Sequence, residues 1–457
     1  MSTEAKKSTS LTEGSIAKKI IGFAIPLFLG NLFQQMYNMA DSLIVGNFLG
    51  DDSLAAVTST GSLTFLLVGF FNGTAMGAGV VIARYFGARD YEKVKRAVHT
   101  DVAFGLIAGV LMTLIGVFFT PTILQWMGTP ADVFPKAVLY LRVYFLGSLA
   151  VIMYNICMGI LHAIGDSKHP LYYLIFSSCV NIVLDLIFCG VFRLGVHFAA
   201  FATVISQFLS VILCMSRLMR VKDVYQVRLK EVCLDRDMLK QIITLGLPSG
   251  VQNSIISLAN MVVQSSINAF GTAAMAGCGA YSKIEGFGFL PITCFTMALT
   301  TFVSQNLGAK EYGRVKKGTT FGIACTLILA ETVGILIWLF GPQVIGFFGG
   351  EAESIAYGTL QAKTVTLFYF LLAFSHSAAA IMRGAGKSTV PMYVMMVSWC
   401  AIRIAYVTTV SRLFDNIQLV FIAYPITWTI SSVIFLVYLL KADWMHNFER
   451  QELKECA

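Results

Sequence analysis

Apolar stretches of about 20 residues follow one another along almost the whole chain, separated by short polar turns, and a helix of that length crosses a hydrocarbon layer roughly 30 Å thick. In lipid a backbone must satisfy its own N–H and C=O groups, so such stretches predict helices and exclude open sheets. Of the 457 residues 56% are hydrophobic and 13% charged, against roughly 25% charged in a soluble chain, which leaves no sizeable soluble domain. The expectation is an all-α integral membrane protein of about 12 transmembrane helices, beginning near positions 21, 56, 99, 136, 170, 198, 241, 274, 318, 356, 389 and 418. Residues 1–20 are polar and lysine-bearing, without the short apolar core and small-residue cleavage site of a removable signal peptide. The ten cysteines are scattered with no CxxC pair, and read as reduced core residues.

Basic residues divide by side. Lys18, Lys19, Arg84, Arg89, Lys93, Lys95, Arg96, Arg217, Arg220, Lys222, Lys310, Arg314, Lys316, Lys317, Arg383 and Lys387 occupy alternate loops, whereas the opposite loops hold Lys136, Arg193 and Arg412. Cytoplasmic loops concentrate Lys and Arg, so both termini are expected inside. The net charge of +8 is then an orientation signal assisted by anionic membrane lipid, and calls for no nucleic acid. Arg142, Lys283, Lys363 and Arg403 fall within spans and are candidates for a cavity or an interface.

The chain repeats itself. Gly87, Ala88, Tyr91, Val94 and Lys95 recur 221 residues later as Gly308, Ala309, Tyr312, Val315 and Lys316. At the same offset Gly165, Ser167, Pro170, Tyr172 and Cys179 recur as Gly386, Ser388, Pro391, Tyr393 and Cys400. One residue further on, Pro26, Asn31 and Asn38 meet Pro248, Asn253 and Asn260. Duplication predicts a cytoplasmic segment 1–20, a six-helix lobe 21–220, a linker 221–240, a second six-helix lobe 241–440 and a tail 441–457. Each lobe has an even number of helices, so the repeat is parallel about an axis along the membrane normal. Two such lobes predict a central cleft, with alternating access to a substrate site between them.

Symmetry builds the scaffold, and polar groups that break it mark the chemistry. Asp41 falls opposite Val263, Asp185 opposite Tyr406 and Asn181 opposite Ile402. A carboxylate at the middle of a span costs roughly 2.5–3.5 kcal/mol to insert, so it is retained for pairing or function. Asn181 and Asp185 share one helix face, Asn38 and Asp41 another. If the faces meet, carboxylate and amide oxygens in a dry setting could exchange a proton near neutrality or bind Na⁺; an interhelical hydrogen bond with a permanently protonated aspartate is the alternative. Pro26 and Pro248 would kink the first helix of each half, for movement or as fixed bends. Gly69, Gly73 and Gly77 allow close helix packing. Glu331 and the pair Lys283/Glu285 read either as structural or snorkelled groups or as substrate contacts.

Catalytic signatures are missing. Gly386-Lys387-Ser388 lacks the glycine five residues earlier that a phosphate loop needs, and Ile381 stands there. His162, His197 and His376 are widely separated, and no HExxH or GxSxG accompanies them. The reading is a transporter, not an enzyme, with no cofactor and no ATP, coupled to H⁺ or Na⁺.

The stretch Pro26-Leu-Phe-Leu-Gly-Asn-Leu-Phe-Gln-Gln-Met-Tyr-Asn-Met-Ala-Asp41, followed by Gly46 and Gly50, resembles the opening helix of the multidrug and toxic compound extrusion (MATE) transporters. Gln305-Asn-Leu-Gly-Ala309 and Asn181-Ile-Val-Leu-Asp185 extend the resemblance. It implies a secondary active multidrug exporter of the bacterial cytoplasmic membrane, trading organic cations or amphipathic drugs for inward H⁺ or Na⁺. In the branch it most resembles, the aspartates matching Asp41 and Asp185, with the asparagine matching Asn181, form the coupling site. Gln34, Tyr37, Asn38, Gln252, Asn253, Lys283, Glu285 and Pro26 are the candidates for substrate contact or helix bending. Another branch has acids in the seventh and tenth helices; here Gln252-Asn253-Ser254 and Arg383-Gly-Ala-Gly-Lys387 depart from it. The alternatives are a lipid-linked oligosaccharide flippase of the same superfamily and, more remotely, a membrane receptor.

Overall fold

The computed structural model describes residues 10–49, 51–126, 129, 133–347 and 351–450, with side chains in the second helix described from position 69 onward. Gly50, the first nine residues and the last seven lie outside the described set, as do Lys6, Lys7, Lys454 and Cys456. Among the described residues every regular element is helical. The first half comprises α1 (Ile16–Leu49), α2 (Asp51–Gly87), α3 (Tyr91–Trp126), α4 (Phe134–Leu146), α5 (Ser148–Ala163), α6 (Lys168–Asp185) with a π-helical turn Leu186–Val191, and α7 (His197–Arg220). The second comprises α8 (Arg236–Asn268), α9 (Thr272–Gly308), α10 (Tyr312–Phe347), α11 (Ala352–Val365), α12 (Tyr369–Gly384), α13 (Thr389–Met395), a π-helical turn Met396–Ile402, α14 (Arg403–Leu413) and α15 (Ile417–Lys441).

Ten described segments are long and apolar enough to cross a membrane, and α4 with α5, bent by 45° at Gly147, makes an eleventh. With the 37 residues of α2 this is consistent with the twelve expected. The bend has a local cause: a Cβ at Gly147 would lie 2.4 Å from Val204 Cγ2, so the backbone turns where only glycine fits. The described cysteines are free.

The repeat is visible in the backbone itself. Arg89 and Lys310 both adopt φ 60°, and Gly165 and Gly386 take φ 90° and 74°. Asp90 N donates to Tyr85 O (3.0 Å) and Glu311 N to Asn306 O (2.8 Å), closing the same turn in each half. Asp166 N and Lys387 N likewise donate to Leu161 O and Met382 O, both at 2.9 Å.

Side chains are sorted by neighbour rather than by water. On α3, Ile107, Leu111, Leu114 and Phe118 are exposed, the face a helix turns to lipid. The opposite stripe, Gly105 and Gly109, lies against α5: an added Cβ would stand 2.1 Å from Ile156 Cδ1 and 2.6 Å from Leu149 Cδ1. On α2, Gly73 and Gly77 pack on the backbone of α8, where added Cβ atoms would stand 2.3 Å from Gly250 N and from Gly246 Cα. Small residues let backbones meet where dispersion, and no hydrophobic drive, holds helices together.

The chain forms two compact units whose boundaries fall elsewhere than the sequence division at 221–240: one is Leu29–Gly250, the other Ser10–Phe28 with the chain from Val251 onward. Polar straps cause this. In the first unit, Arg228 N donates to His99 Nε2 (3.0 Å) and Asp235 N to Thr100 Oγ1 (3.2 Å). Lys95 pairs with Glu231 at 2.8 Å, and Arg96 Nε donates to Asp235 at 2.8 Å. In the second unit, Leu11 N donates to Gln305 Oε1 (2.8 Å), Asn306 Nδ2 to Leu11 O (3.3 Å) and Arg314 Nη1 to Gly14 O (2.8 Å). Each strap therefore ties the start of α1 or α8 to the unit other than the one its far end enters. Pro26 and Pro248, both buried inside unbroken helices, lie within three residues of these crossing points.

Two outcomes follow for stability. Gly77→Leu should lower the melting temperature of the detergent-purified protein, toward the upper end of the roughly 1–3 kcal/mol that overpacking costs; Gly313→Leu, where nothing lies within 4 Å, should leave it unchanged. Equal melting of the two variants would contradict the backbone contact. Asp235 caps α8, accepting from Asp237 N and Met238 N at 3.1 Å. Those backbone donors, then Arg96, hold its carboxyl below the usual carboxylate range. The stabilisation is therefore complete above the unfolded value near 3.9 and lost as pH falls through the lowered folded value. Asp235→Ala should cost about 1 kcal/mol and Asp235→Asn less, since the amide oxygen still caps; thermal melts at pH 7 compare them.

Candidate functional site

Asp41 lies in the second half of α1 and Asp185 ends α6, where the helix widens into the π-helical turn Leu186–Val191. Such turns inside spans commonly mark functional positions, because they re-aim side chains and free backbone groups. Asp185 is fully buried and Asn181, one turn earlier, is 1% exposed. The two carboxyl groups lie close to each other. Yet Asp41 Oδ1, both Asp185 oxygens and both polar atoms of Asn181 are buried without a donor or acceptor. Two carboxylates in contact in a dry interior cannot both stay ionised unless a positive charge lies between them. Chemically, the arrangement could accept a proton or a small cation.

Around it stand groups from α1 itself and from two further helices, α4 and α7. The side chains of Gln34 and Gln207 lie near the Tyr37 hydroxyl, and Tyr37 stands near both aspartates. Tyr140 on α4 feels Asp41, Asp185, Tyr37 and Tyr144. Next to the site, Ile44, Val45, Tyr140, Cys189, Val196 and Ala200 form an apolar cluster, with Ile182 and Phe188 packed on it. Asn38 is exposed, and its carbonyl accepts from Ser42 Oγ at 3.0 Å. Tyr140, Tyr144 and Gln207 carry no flag in the sequence; the only signal is the four-residue spacing of two tyrosines on one helix face and a lone amide in an apolar span.

The remaining candidates fall in the second unit. Gln252 is buried, its Nε2 2.8 Å from Met395 Sδ and its Oε1 without a partner. Asn253 is half-buried beside it. Lys283 and Glu285, two residues apart, point to opposite sides of α9: Lys283 is exposed, whereas Glu285 turns into the core beneath Tyr281 and Tyr369. Glu331 Oε2 accepts from Phe370 N at 3.1 Å. The basic residues within spans have separate settings: Arg142 is exposed, Lys363 Nζ sits 6.0 Å from the Trp338 ring centroid, and Arg403 is 1% exposed. Among the described residues no three His, Cys, Asp or Glu side chains gather as a metal-ligand set.

The chain matches the MatE family over residues 26–187 and 248–408, two blocks that follow the two halves of the repeat. It is 29% identical over 435 residues, 93% of each chain, to the probable multidrug resistance protein YoeA of Bacillus subtilis. It is 26% identical to the probable multidrug resistance protein NorM of Thermotoga maritima, covering 84% of each. Among solved structures it is similar to the crystal structure of MATE in complex with MaL6, with a TM-score of 0.89 and 25% identity over 96% of this chain and 99% of that one.

Proposed function

Because the chain belongs to the MatE family, we propose that this multi-pass membrane protein is a secondary active multidrug exporter, moving cationic or amphipathic organic molecules outward in exchange for inward H⁺ or Na⁺ by alternating access. The observation that carries the coupling is the contact between Asp41 and Asp185, buried with oxygens that no donor satisfies. An ion entering this pair removes a like-charge repulsion at a largely buried site, so occupied and empty states differ strongly in the energy of the helices that bear them. Asn181 and Tyr37 offer further oxygens beside the carboxyls, which suits either a proton or Na⁺. The concentration of Lys and Arg in alternate loops supports a cytoplasmic membrane with both termini inside.

Magnitudes constrain the exchange. One charge moving inward through 100 mV releases about 2.3 kcal/mol, enough for roughly a fiftyfold gradient. One H⁺ traded for one monovalent cation moves no net charge and draws nothing from the membrane potential; two carboxyls allow two protons per cycle. The flippase alternative rests on basic groups lining one cavity, and the dispersed settings of Arg142, Lys283, Lys363 and Arg403 lend it no support.

The test is efflux of ethidium from proteoliposomes under an imposed pH gradient or an imposed Na⁺ gradient. Asp41→Asn and Asp185→Asn should each reduce gradient-driven efflux to the leak of empty liposomes, and the gradient that drives the wild type names the ion. Efflux that survives the double substitution would overturn the coupling role.

A further inference from the structure

The first unit carries a stripe of small polar groups that its twin lacks. On α6, Ser177 and Ser178 stand one turn before Asn181, and Asp185 one turn after it, so these groups share one helix face. On α7, Gln207, Ser210 and Cys214 are spaced three and four apart and share another. The two faces meet where Ser210 Oγ donates to Ser177 Oγ at 2.6 Å. Tyr154 and Cys157 of α5 stand near Cys214, and Tyr154 also stands near Tyr37 of the aspartate site. At the repeat offset of 221 the second unit holds Trp399 for Ser178, Trp428 for Gln207, Phe435 for Cys214 and Ala378 for Cys157. These four are buried, and the two indole rings lie 6.5 Å apart between centroids. One interior is filled with rings, whereas the other keeps hydroxyl, thiol and amide groups at the same positions.

The stripe leads to a carboxyl that the aspartate pair leaves without a role. Asp101 on α3 is 1% exposed and stands near Cys157. It lies one turn before Gly105, on the face of α3 that packs against Ile156 of α5. Its chain neighbours hold the linker: Thr100 Oγ1 accepts from Asp235 N at 3.2 Å and His99 Nε2 from Arg228 N at 3.0 Å. Asp101 is therefore at the basic end of the unit, and Gly322 takes its place in the second unit. An ionisable side chain inside a membrane segment is costly and points to function. Asp101 Oδ2, the Tyr154 hydroxyl and the Ser178 hydroxyl are each buried without a hydrogen-bond partner, although buried polar atoms are normally satisfied. From Tyr37 through Tyr154 and Cys157 to Asp101, each group is a neighbour of the next.

We propose that Asp101 is the proton exit of the first unit, taking protons that leave the Asp41 and Asp185 pair along this polar stripe and passing them to water at the basic, cytoplasmic end. The proposal rests on the export reading with H⁺ as the coupling ion. The O–H bond of a protonated aspartate breaks, and each hydroxyl on the way forms one new O–H bond and gives up its old one. The Asp101 carboxylate takes the last proton, which then passes to water, and the pair is left one charge more negative. A file closed at every step would let protons through without substrate. Here the Tyr154 hydroxyl is unpartnered, which breaks the file between the pair and Asp101 and guards this conformation against such a leak.

The experiment compares two modes of ethidium transport in proteoliposomes of the full-length protein. One is net efflux driven by an imposed pH gradient; the other is exchange of radiolabelled for unlabelled ethidium at equal concentration and equal pH, which needs no net release of protons. Asp101→Asn keeps the shape of the side chain but cannot carry a proton, and should slow net efflux at least about tenfold. Exchange should stay within about threefold of the wild type, a factor worth less than 1 kcal/mol. Asp101→Glu should recover most of the net efflux. Net efflux at the wild-type rate in Asp101→Asn would overturn the exit, as would equal loss of both modes, which would make Asp101 a packing residue. Should Asp101→Asn fail to fold, Tyr154→Phe decides, because it removes a hydroxyl that holds nothing in place: slowed net efflux with intact exchange is expected, and unchanged net efflux would overturn the file. A wild type driven by a Na⁺ gradient and not by a pH gradient would sink the H⁺ reading, and no transport under either gradient the export reading. Net efflux driven by pH and indifferent to Asp101 would sink only the exit.

Discussion

Lipid gives apolar side chains no reason to leave it, so the helices of this protein are held by what only another helix can supply: close backbone approach and partners for polar groups. Gly73 and Gly77 on α2 meet Gly250 and Gly246 on α8, and Gly105 and Gly109 on α3 take the side chains of Ile156 and Leu149 on α5. These contacts leave no space for a Cβ, and they fix the rotation of each helix about its axis. Rotation decides which side chains face inward. On the helices that bear the aspartates, Gly30 of α1 lies against Leu174 and Leu171 of α6.

Duplication produced two scaffolds of one design, and substitution then gave them opposite chemistry. The turns Arg89/Lys310 and Gly165/Gly386 keep the same left-handed backbone in both copies, since a different residue conformation there would redirect two helices at once. At the matching interior level one copy holds two carboxyls with unsatisfied oxygens, and the other a guanidinium enclosed by rings and hydroxyls. An isolated charge in such an interior costs several kcal/mol unless it is paired or hydrogen-bonded. In the second unit Thr427, Asn260 and the rings of Trp399 and Tyr424 meet that cost for Arg403, whereas in the first unit no donor meets it for Asp185.

The parts of the site that were legible in the sequence are those that violate a membrane rule. Asp41, Asp185 and Asn181 stand out because polar groups in apolar spans are expensive, and the repeat shows that their counterparts are apolar. Tyr140, Tyr144 and Gln207 break no such rule: tyrosine is common near membrane interfaces and a single amide inserts at modest cost, so only their convergence on Tyr37 and the aspartates reveals them. Arg403 was visible as a charge within a span, but its partners Thr427 and Asn260 lie 24 and 143 residues away. The exchange of straps was invisible for a similar reason. Polar residues at 10–15 and 227–235 look like any cytoplasmic connection, and nothing local says that Arg314 or Thr100 will bind them.

The sequence alone determined the helical class, the order of the apolar spans and the duplication. Each follows from periodicity, composition or self-similarity, which are properties of the chain read in one dimension. Tertiary structure decided which polar residues share a site, where the two units divide, and that Lys283 is exposed while Glu285 turns to Tyr281 and Tyr369. Those outcomes depend on helix rotation and on contacts between segments far apart in the chain, and rotation is set by the close packing of small residues, a constraint that exists only once the helices are side by side.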